Sequence, residues 1–311
     1  MRFFRRCLTA LAAVAFLSPA MAEEEAPAHP LRPMLWKVEG GKLEKPSWLF
    51  GTIHVGKGPV AELHPAAARA FDEADAVYTE LEMDPATQLG LAKHFLREDG
   101  RRLSDSIGEE LSAQLEKELK LIQPALTSAV LQTFKTWAVA ITLPTLKLQL
   151  DGAPPLDMIL WQNAAKAGKA TSALEKPQDQ FVIFDDLSEE EQVIMLSETI
   201  RQLKEARVSG EDLTQKLIDS YVAGDDEEVM GWMNRSYEEM LEGEHPELGK
   251  KLLKRLINDR NAAMAAVILS KLKSEPGKGH FFAVGTAHYL GEESIGNHLS
   301  KQGYKVTRVN E

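Results

Sequence analysis

Two copies of the tetrapeptide Gly-Thr-x-His could bring two histidines to one site. The first copy ends at His54 and follows the apolar segment 47–50, and the second ends at His288 and follows the apolar segment 281–284. A glycine at the end of a strand permits a tight turn, after which side chains can point into a shared crevice. The motifs therefore predict that His54 and His288 converge on one ion or one reacting atom.

The alternative is that both histidines are turn residues with satisfied hydrogen bonds and no chemical role. A third match to Gly-x-x-His ends at His280 and lies in a Pro- and Gly-rich stretch, 276–279. We interpret His280 as a turn residue because no strand-like segment precedes it. The paired context of His54 and His288, and not the spacing alone, favours a site.

A carboxylate is predicted near these histidines by the β-prone segment 76–82. Period-two alternation puts Glu80 and Glu82 on one face of such a strand, opposite Val77 and Leu81. Glu80 has three open roles, as a metal ligand, as a general base or as a surface carboxylate, and we favour a role in the site. Glu82 is expected to face solvent.

This set of residue types is suited to a divalent metal. Two imidazoles with one or two carboxylates bind Mn, Co, Zn or Fe, and such an ion activates water and polarises a scissile carbonyl. The single cysteine of the chain is Cys7, which lies in the predicted signal peptide described below. A metal site in the mature chain must therefore be built without thiolate ligands.

The first 22 residues have the features of a secretory signal peptide. Three arginines precede an apolar stretch, 7–17, which is followed by a small-x-small cleavage site at 20–22. The apolar stretch is too short to span a bilayer unaided, although an uncleaved anchor is the alternative. The sequence therefore predicts a periplasmic or secreted protein.

Charge and composition restrict the partners. The formal net charge is −11 at pH 7, so nucleic acid and anionic lipid are disfavoured as main partners. After signal cleavage we expect no transmembrane segment. A cysteine-free mature chain also has no disulfide, so its stability must come from an apolar core.

Both ends of the mature chain have a β-loop-α-β pattern, and helices fill the middle. We predict an α/β fold (α+β as the alternative), with a mixed central β-sheet flanked by helices and two β-GTxH-loop-α-β units. The expected organisation is a signal peptide over 1–22, a flexible leader over 23–33 and a single domain over 34–311. Large helical insertions are expected over about 105–150 and 188–273.

Individual elements can be predicted around these units. Residues 35–38 and 48–50 are expected to form a hairpin, and Gly168, Gly210, Gly224 and Gly243 are expected to end helices. The other predicted elements are helices over 65–74, 155–167 and 292–302, and strands over 170–175, 281–285 and 304–309.

Several blocks of residues resemble one known family. Trp36, 49–56 and 80–82 are similar to the opening of the TraB/PrgY/GumN family, and 282–291 with 303–306 is similar to its close. Further matches are Leu156-Asp157, Gly168-Lys169, Leu174-Glu175 and Asp259-Arg260-Asn261. Together they cover about 35–309. One departure is Pro155, where the family has glycine, and it leaves the local loop geometry open.

The family includes the Tiki metalloproteases, which cleave peptide bonds with a divalent metal, and bacterial members of less certain biochemistry. The resemblance implies His54 and His288 as metal ligands and Glu80 as their acidic partner. It also implies a mixed central sheet.

Four further residues match the family at positions of less certain role. Asp157 and Glu175 could orient the histidines, or could be a helix cap and an ordinary strand end. Arg260 could hold a substrate carboxylate or a developing oxyanion, or could form a buried ion pair. Asn261 is expected to contact substrate or to support the ligands.

The leading hypothesis is a metal-dependent hydrolase, most simply a peptidase, that acts on a peptide or protein substrate. Its site would comprise His54, His288 and Glu80, with Arg260 in contact with substrate. One alternative is a non-catalytic periplasmic protein that binds a peptide or haem in the same cleft. Another is a metal-free, esterase-like hydrolase with a histidine base.

Overall fold

A computed structural model describes residues 27–311, without the side chains of residues 234 and 236–238. The predicted signal peptide, 1–22, lies outside the described residues, as do residues 23–26 of the predicted leader. Within the rest of that leader, the backbone N–H of Leu31 donates to the carbonyl of Val222, and the Arg32 guanidinium donates to Asn310. None of the helices in this described part is both long and apolar enough to cross a membrane.

A six-stranded mixed sheet forms the centre of the molecule, in the order β4-β3-β5-β2-β1-β6. The strands are β1 (Leu35–Gly40), β2 (Ser47–Thr52), β3 (Ala76–Thr79), β4 (Ala170–Ala173), β5 (His280–Gly285) and β6 (Tyr304–Arg308). The neighbours β4, β3, β5 and β2 are parallel, whereas β1 is antiparallel to β2 and to β6. The predicted mixed sheet and the hairpin of β1 and β2 are confirmed.

Helices surround this sheet, as predicted. They are α1 (Pro65–Glu73), α2 (Pro85–Ala92), α3 (Leu103–Ile122), α4 (Thr136–Thr142), α5 (Leu146–Leu150), α6 (Leu156–Lys166), α7 (Pro177–Asp185), α8 (Glu189–Ser209), α9 (Leu213–Ala223), α10 (Asp226–Glu242), α11 (Pro246–Leu253), α12 (Asp259–Ser274) and α13 (Ile295–Lys301). A π-helical turn, Lys254–Asn258, joins α11 to α12.

Glycines end two of the long helices where the sequence predicts it. Gly210 follows α8 with φ 74°, and Gly224 follows α9 with φ 73°, so both occupy the left-handed region that other residues rarely adopt. At the start of α8, Ser188 and Glu191 form a reciprocal capping box. These local signals divide the helical insertion into separate helices that can pack on one another.

The central strand β5 is buried along its whole length and divides the core. Phe282 and Val284 pack on the face that α12 and α13 cover, whereas Phe281 and Ala283 pack on the face that α1 and α6 cover. A strand buried on both faces is apolar throughout, which is the pattern of the sequence 281–284. The helices α3, α4, α7, α8 and α11 contribute to a separate apolar cluster around Trp137.

Two local interpretations from the sequence are wrong. The strand predicted over 76–82 ends at Thr79, and both Glu80 and Leu81 are buried, so alternation does not continue past the last paired residue. His280 is not a turn residue but the first residue of β5, where it is fully buried and pairs with Ala76. Its ring stacks on Phe282, and its Nε2 lies 3.4 Å from the Glu275 carbonyl.

Candidate metal centre

The predicted site residues lie at the carboxyl ends of the parallel strands. His54 follows β2, His288 follows β5, Glu80 follows β3 and Glu175 follows β4. Parallel neighbours end at the same edge of a sheet, and ligand sites of open α/β sheets lie outside the carboxyl ends of the strands. The register pairs Thr52 with Gly285, so the two Gly-Thr-x-His motifs are side by side.

Both histidines direct Nε2 towards one oxygen of Glu80. The distance from Glu80 Oε1 to His54 Nε2 is 3.7 Å, and the distance to His288 Nε2 is 4.0 Å. The same oxygen accepts a hydrogen bond of 2.7 Å from the backbone N–H of Gly285. The structure therefore brings together the three residues that the sequence predicts as metal ligands.

Gly285 leaves a space between these donor atoms. A Cβ at this position would lie 3.1 Å from His54 Nε2, 3.2 Å from Glu80 Oε1 and 3.7 Å from His288 Cδ2. Any side chain would thus enter the space that the three groups face. The glycine of the second motif keeps this space open, in addition to its role in the turn.

His54 has an unusual backbone conformation. Among the described residues it is the one non-glycine residue with positive φ, at 54°. Histidine tolerates this left-handed region better than most residues, but the conformation still has a cost, and such strain is concentrated at functional sites. The side chain of His54 is 53% exposed, so the centre is open to solvent on this side.

Asp157 fixes the orientation of the His54 ring. Its Oδ2 lies 3.0 Å from His54 Nδ1, and its Oδ1 accepts a hydrogen bond from Thr52 Oγ1 at 2.9 Å. A carboxylate can only accept, so Nδ1 carries a proton and Nε2 is the ring nitrogen that faces the centre. Pro155, which replaces the glycine of the family, precedes α6 with an extended backbone, φ −62° and ψ 151°. Asp157 therefore still lies in the first turn of α6.

Asn261 has the equivalent role for His288. Its Nδ2 donates to the Glu293 carbonyl, so Oδ1 is the atom that faces His288 Nδ1, at 2.6 Å. His288 Nδ1 therefore donates, and Nε2 is the free acceptor. Asn261 lies in the first turn of α12, directly after the π-helical turn, and such turns are frequent at functional sites.

Arg260 binds the second oxygen of Glu80. Its Nη2 donates to Glu80 Oε2 and to Glu175 Oε2, at 2.6 Å each, and its Nε donates to Glu175 Oε1 at 3.0 Å. Gln180 Nε2 donates to both carboxylates, at 3.3 Å and 2.9 Å. Of the two roles considered for Arg260, the buried ion pair is present. Glu175 holds Arg260 and does not bond to a histidine in this arrangement.

The charges of the centre follow from these contacts. Burial alone would raise the pKa of Glu80, but Arg260 and the two histidines outweigh it and hold this pKa well below its usual range. Burial, with Arg260 nearby, lowers the pKa of His288 to about 3. Asp157 raises the pKa of His54 against the opposing effect of desolvation, and solvent around the half-exposed ring screens both effects. The centre therefore combines an ionised carboxylate with a neutral imidazole at His288.

Within residues 27–311, no group of three or more His, Cys, Asp or Glu side chains is already drawn together as a metal site. His54, His288 and Glu80 nevertheless have nearly the spacing of a metal site. With ligands about 2.1 Å from an ion, tetrahedral neighbours are roughly 3.4 Å apart. The two distances of 3.7 Å and 4.0 Å therefore need to close by about 0.3 and 0.6 Å. Two Nε2 atoms that face one carboxylate oxygen, with an open side, fit a divalent cation that displaces any proton on His54 Nε2.

Some residues of the centre were not singled out from the sequence. The motif threonines are one case: Thr52 holds Asp157, and Thr286 Oγ1 donates to the Thr52 carbonyl at 2.9 Å, which ties the two strand ends together. Their presence in both motifs was a usable signal. Gln180 on α7 had no such signal, because nothing in its surroundings distinguishes it from a surface glutamine.

Asp157→Asn is expected to weaken metal binding about 10- to 100-fold, which is the usual effect of removing a carboxylate behind a histidine ligand. The amide keeps the shape of the side chain but loses the charge that orients the His54 ring. Titration of the purified variant with Mn²⁺ or Zn²⁺ measures the change. Asp151→Asn is the matched control, because Asp151 is exposed and pairs with Lys57; equal effects of the two substitutions would contradict the role of Asp157.

The sequence model of the TraB/PrgY/gumN family matches residues 34–308. The chain belongs to the TraB/PrgY/gumN family. This confirms the resemblance seen in the sequence. All the residues of the centre lie within the stretch that the family model matches.

Three relatives illustrate the similarity. Metalloprotease TIKI1 of Danio rerio is 27% identical over 325 aligned positions, 93% of this chain and 65% of the relative. Metalloprotease TIKI1 of Homo sapiens is 26% identical, over 89% of this chain and 62% of the relative. A metalloprotease TIKI homolog of Nematostella vectensis is 25% identical, over 92% and 69%. The chain thus spans less than two thirds of the Danio rerio and Homo sapiens proteins. No solved structure matches the chain.

Proposed function

We propose that this member of the TraB/PrgY/gumN family is a metal-dependent peptidase. The observation that carries the proposal is the convergence of His54 and His288 on Glu80 Oε1, around a space that Gly285 leaves open. The relatives named metalloproteases support peptide hydrolysis as the reaction class.

In this proposal His54, His288 and Glu80 hold a divalent cation, Mn, Co, Zn or Fe. The bound ion would supply Lewis acidity, which lowers the pKa of water towards neutrality and polarises a peptide carbonyl. Asp157 and Asn261 keep the Nδ1 protons of the two rings in place, so that both Nε2 atoms face the centre. His54 forms the solvent-exposed side of the centre, from which substrate approaches.

Glu80 acts in this scheme as a ligand with a fixed negative charge. Its Oε2 is occupied by Arg260 and Gln180, which leaves Oε1 to face the histidines. Arg260 is a positioning residue because its guanidinium is bound to Glu80 and Glu175. This replaces the hypothesis from the sequence that Arg260 contacts substrate.

The substrate is a peptide or protein, and the enzyme is placed in the periplasm or outside the cell on the strength of the predicted signal peptide, 1–22. The net charge of −11 remains an argument against nucleic acid as a partner.

Metal removal tests the proposal. We expect the purified protein to contain about one equivalent of Mn, Co, Zn or Fe by elemental analysis, and to cleave unfolded casein. A chelator should abolish cleavage, and added ion should restore it. His54→Asn, which tolerates the left-handed backbone, and His288→Ala should each weaken metal binding about 100-fold.

His245→Ala, which alters a histidine before α11, is the control and should leave metal content and cleavage unchanged. Cleavage that persists after complete metal removal would contradict the proposal and would favour a metal-free hydrolase. Visible haem absorbance without metal-dependent cleavage would instead favour a binding protein.

A further inference from the structure

A cavity of about 190 Å³ lies beside the first histidine loop. Its wall includes Ile53 and Val55, the residues on either side of His54. The Cα atoms of these two residues are each about 3.8 Å from the Cα atom of His54. Helices α5, α8, α9 and α10, together with Pro144 in the turn before α5, supply the remaining apolar wall. The apolar side chains that matter most here are Ile53, Val55, Leu148, Leu203, Leu217 and Trp232.

This cavity and the candidate metal centre share one apolar support. Ile53 and Val55 belong to a buried cluster against which Leu290 also packs, and Leu290 lies two residues after His288. Both histidine loops therefore rest on the same cluster. His54 is the exposed member of the centre, whereas His288 and Glu80 are buried, so a substrate must approach from the side of His54. The two neighbours of His54 in the chain, Ile53 and Val55, line the cavity, which therefore lies beside the exposed histidine loop.

We propose that this cavity, the Trp232 pocket, binds a large apolar side chain of the peptide, from a residue next to the cleaved bond. The inference rests on the proposed function and names the substrate class. Leu, Ile, Met and Phe side chains fit its size, since a cavity of about 150 Å³ is already large enough for benzene.

The charges of the lining favour an apolar occupant. Of the thirteen lining residues that the structure describes, none is acidic and one, Arg235, is basic. The guanidinium of Arg235 donates to Glu239 at 2.7 Å and to Glu211 at 3.4 Å, and lies 5.5 Å from the centroid of the Trp232 ring. A substrate lysine thus meets no carboxylate in the wall, and a substrate carboxylate meets a cation that already has two partners.

Thr214→Asp is a suitable test of this pocket. Thr214 lines the cavity and is the second residue of α9, where a negative charge is favourable to the helix. Aspartate is close to threonine in size, so the variant should fold. Ala86→Asp adds the same charge at the second residue of α2, outside the pocket, and is the matched control.

The measurement is the cleavage-site profile on a peptide mixture from digested casein, with Mn²⁺ added. We expect the wild type and Ala86→Asp to prefer Leu, Ile, Met or Phe over Ala by about 10- to 100-fold in kcat/KM at one position beside the cleaved bond. Thr214→Asp should shift that position towards Lys and Arg by at least about tenfold. An unselective wild-type profile, or an unchanged profile in Thr214→Asp, overturns the proposal.

A binding measurement separates this proposal from the proposed function. Ligand-observed NMR on the metal-free protein compares N-acetyl-leucinamide with N-acetyl-lysinamide. We expect the leucine probe to bind the wild type and the lysine probe to bind Thr214→Asp. If the wild type cleaves no peptide but the two proteins show this exchange of probe preference, the proposed peptidase function is contradicted and the Trp232 pocket is supported. If neither probe distinguishes the proteins, the pocket fails even where cleavage is observed.

Discussion

Gly285→Ala is expected to abolish metal binding at the candidate centre while the fold is retained. The new methyl carbon would lie 3.1 Å from His54 Nε2 and 3.2 Å from Glu80 Oε1, in the space that an ion would occupy. The methyl group obstructs all three donor groups at once, whereas a substitution of one histidine removes a single donor atom. Because the methyl group occupies the ion's space and all three donors are obstructed, we expect an affinity loss of at least about 1000-fold, roughly 4 kcal/mol.

The backbone of Gly285 makes this a clean experiment. Its φ of −51° and ψ of 133° are accessible to alanine, so the variant needs no change of backbone conformation. Metal content by elemental analysis and titration with Mn²⁺ measure the effect, and circular dichroism checks the fold. Gly90→Ala in α2, where a Cβ meets open space, is the control and should keep full metal binding. A Gly285→Ala protein that retains one equivalent of metal would rule out this location for the ion.

Arg260→Met is expected to lower the free energy of unfolding by about 3–5 kcal/mol, because two buried carboxylates lose their shared cation. The side chain of Glu80 is 9% exposed and that of Glu175 is 5% exposed, so water cannot replace the guanidinium. In a chain of this size the change corresponds to a fall in Tm of roughly 10 °C. Urea unfolding of the metal-free protein measures it without interference from bound ion.

A second substitution tests whether charge is the cause. Adding Glu175→Gln to Arg260→Met should recover part of the loss, since one unpaired carboxylate is then neutral. Arg255→Met is the control: Arg255 pairs with the exposed Asp186, and such a surface pair contributes about 0–1 kcal/mol. If Arg260→Met unfolds within 1 kcal/mol of the control, the ion pair does not support the centre as argued.

The two Gly-Thr-x-His motifs allowed the donor set to be predicted because each follows an apolar strand and parallel strands end at one edge. His54 and His288 were predicted on that basis, Glu80 was predicted from the β-prone segment 76–82, and the family resemblance implied all three. The order of the strands was not predictable. The pairing of β2 with β5 depends on long-range contacts for which the sequence has no local signal.

The partners of the polar residues were also beyond the sequence. Asp157 and Glu175 both matched the family, one at the start of a predicted helix and one at the end of a predicted strand, yet Asp157 bonds to His54 and Glu175 bonds to Arg260. The difference follows the position of the strands: β4 lies at the sheet edge, two strands from β5, and Glu175 contacts Glu80 through the Arg260 guanidinium and the Gln180 amide. His280 was misjudged because Pro and Gly before it indicate a turn, although β5 begins directly after that turn.

Thr52 and Thr286 meet across two neighbouring strands but are 234 residues apart in the chain. A ribosome synthesises the first histidine early and the second near the end. A nascent or partly exported chain that stops before residue 285 lacks one donor and the space beside it. The complete donor set of the candidate centre is therefore acquired only after nearly the whole polypeptide has been made.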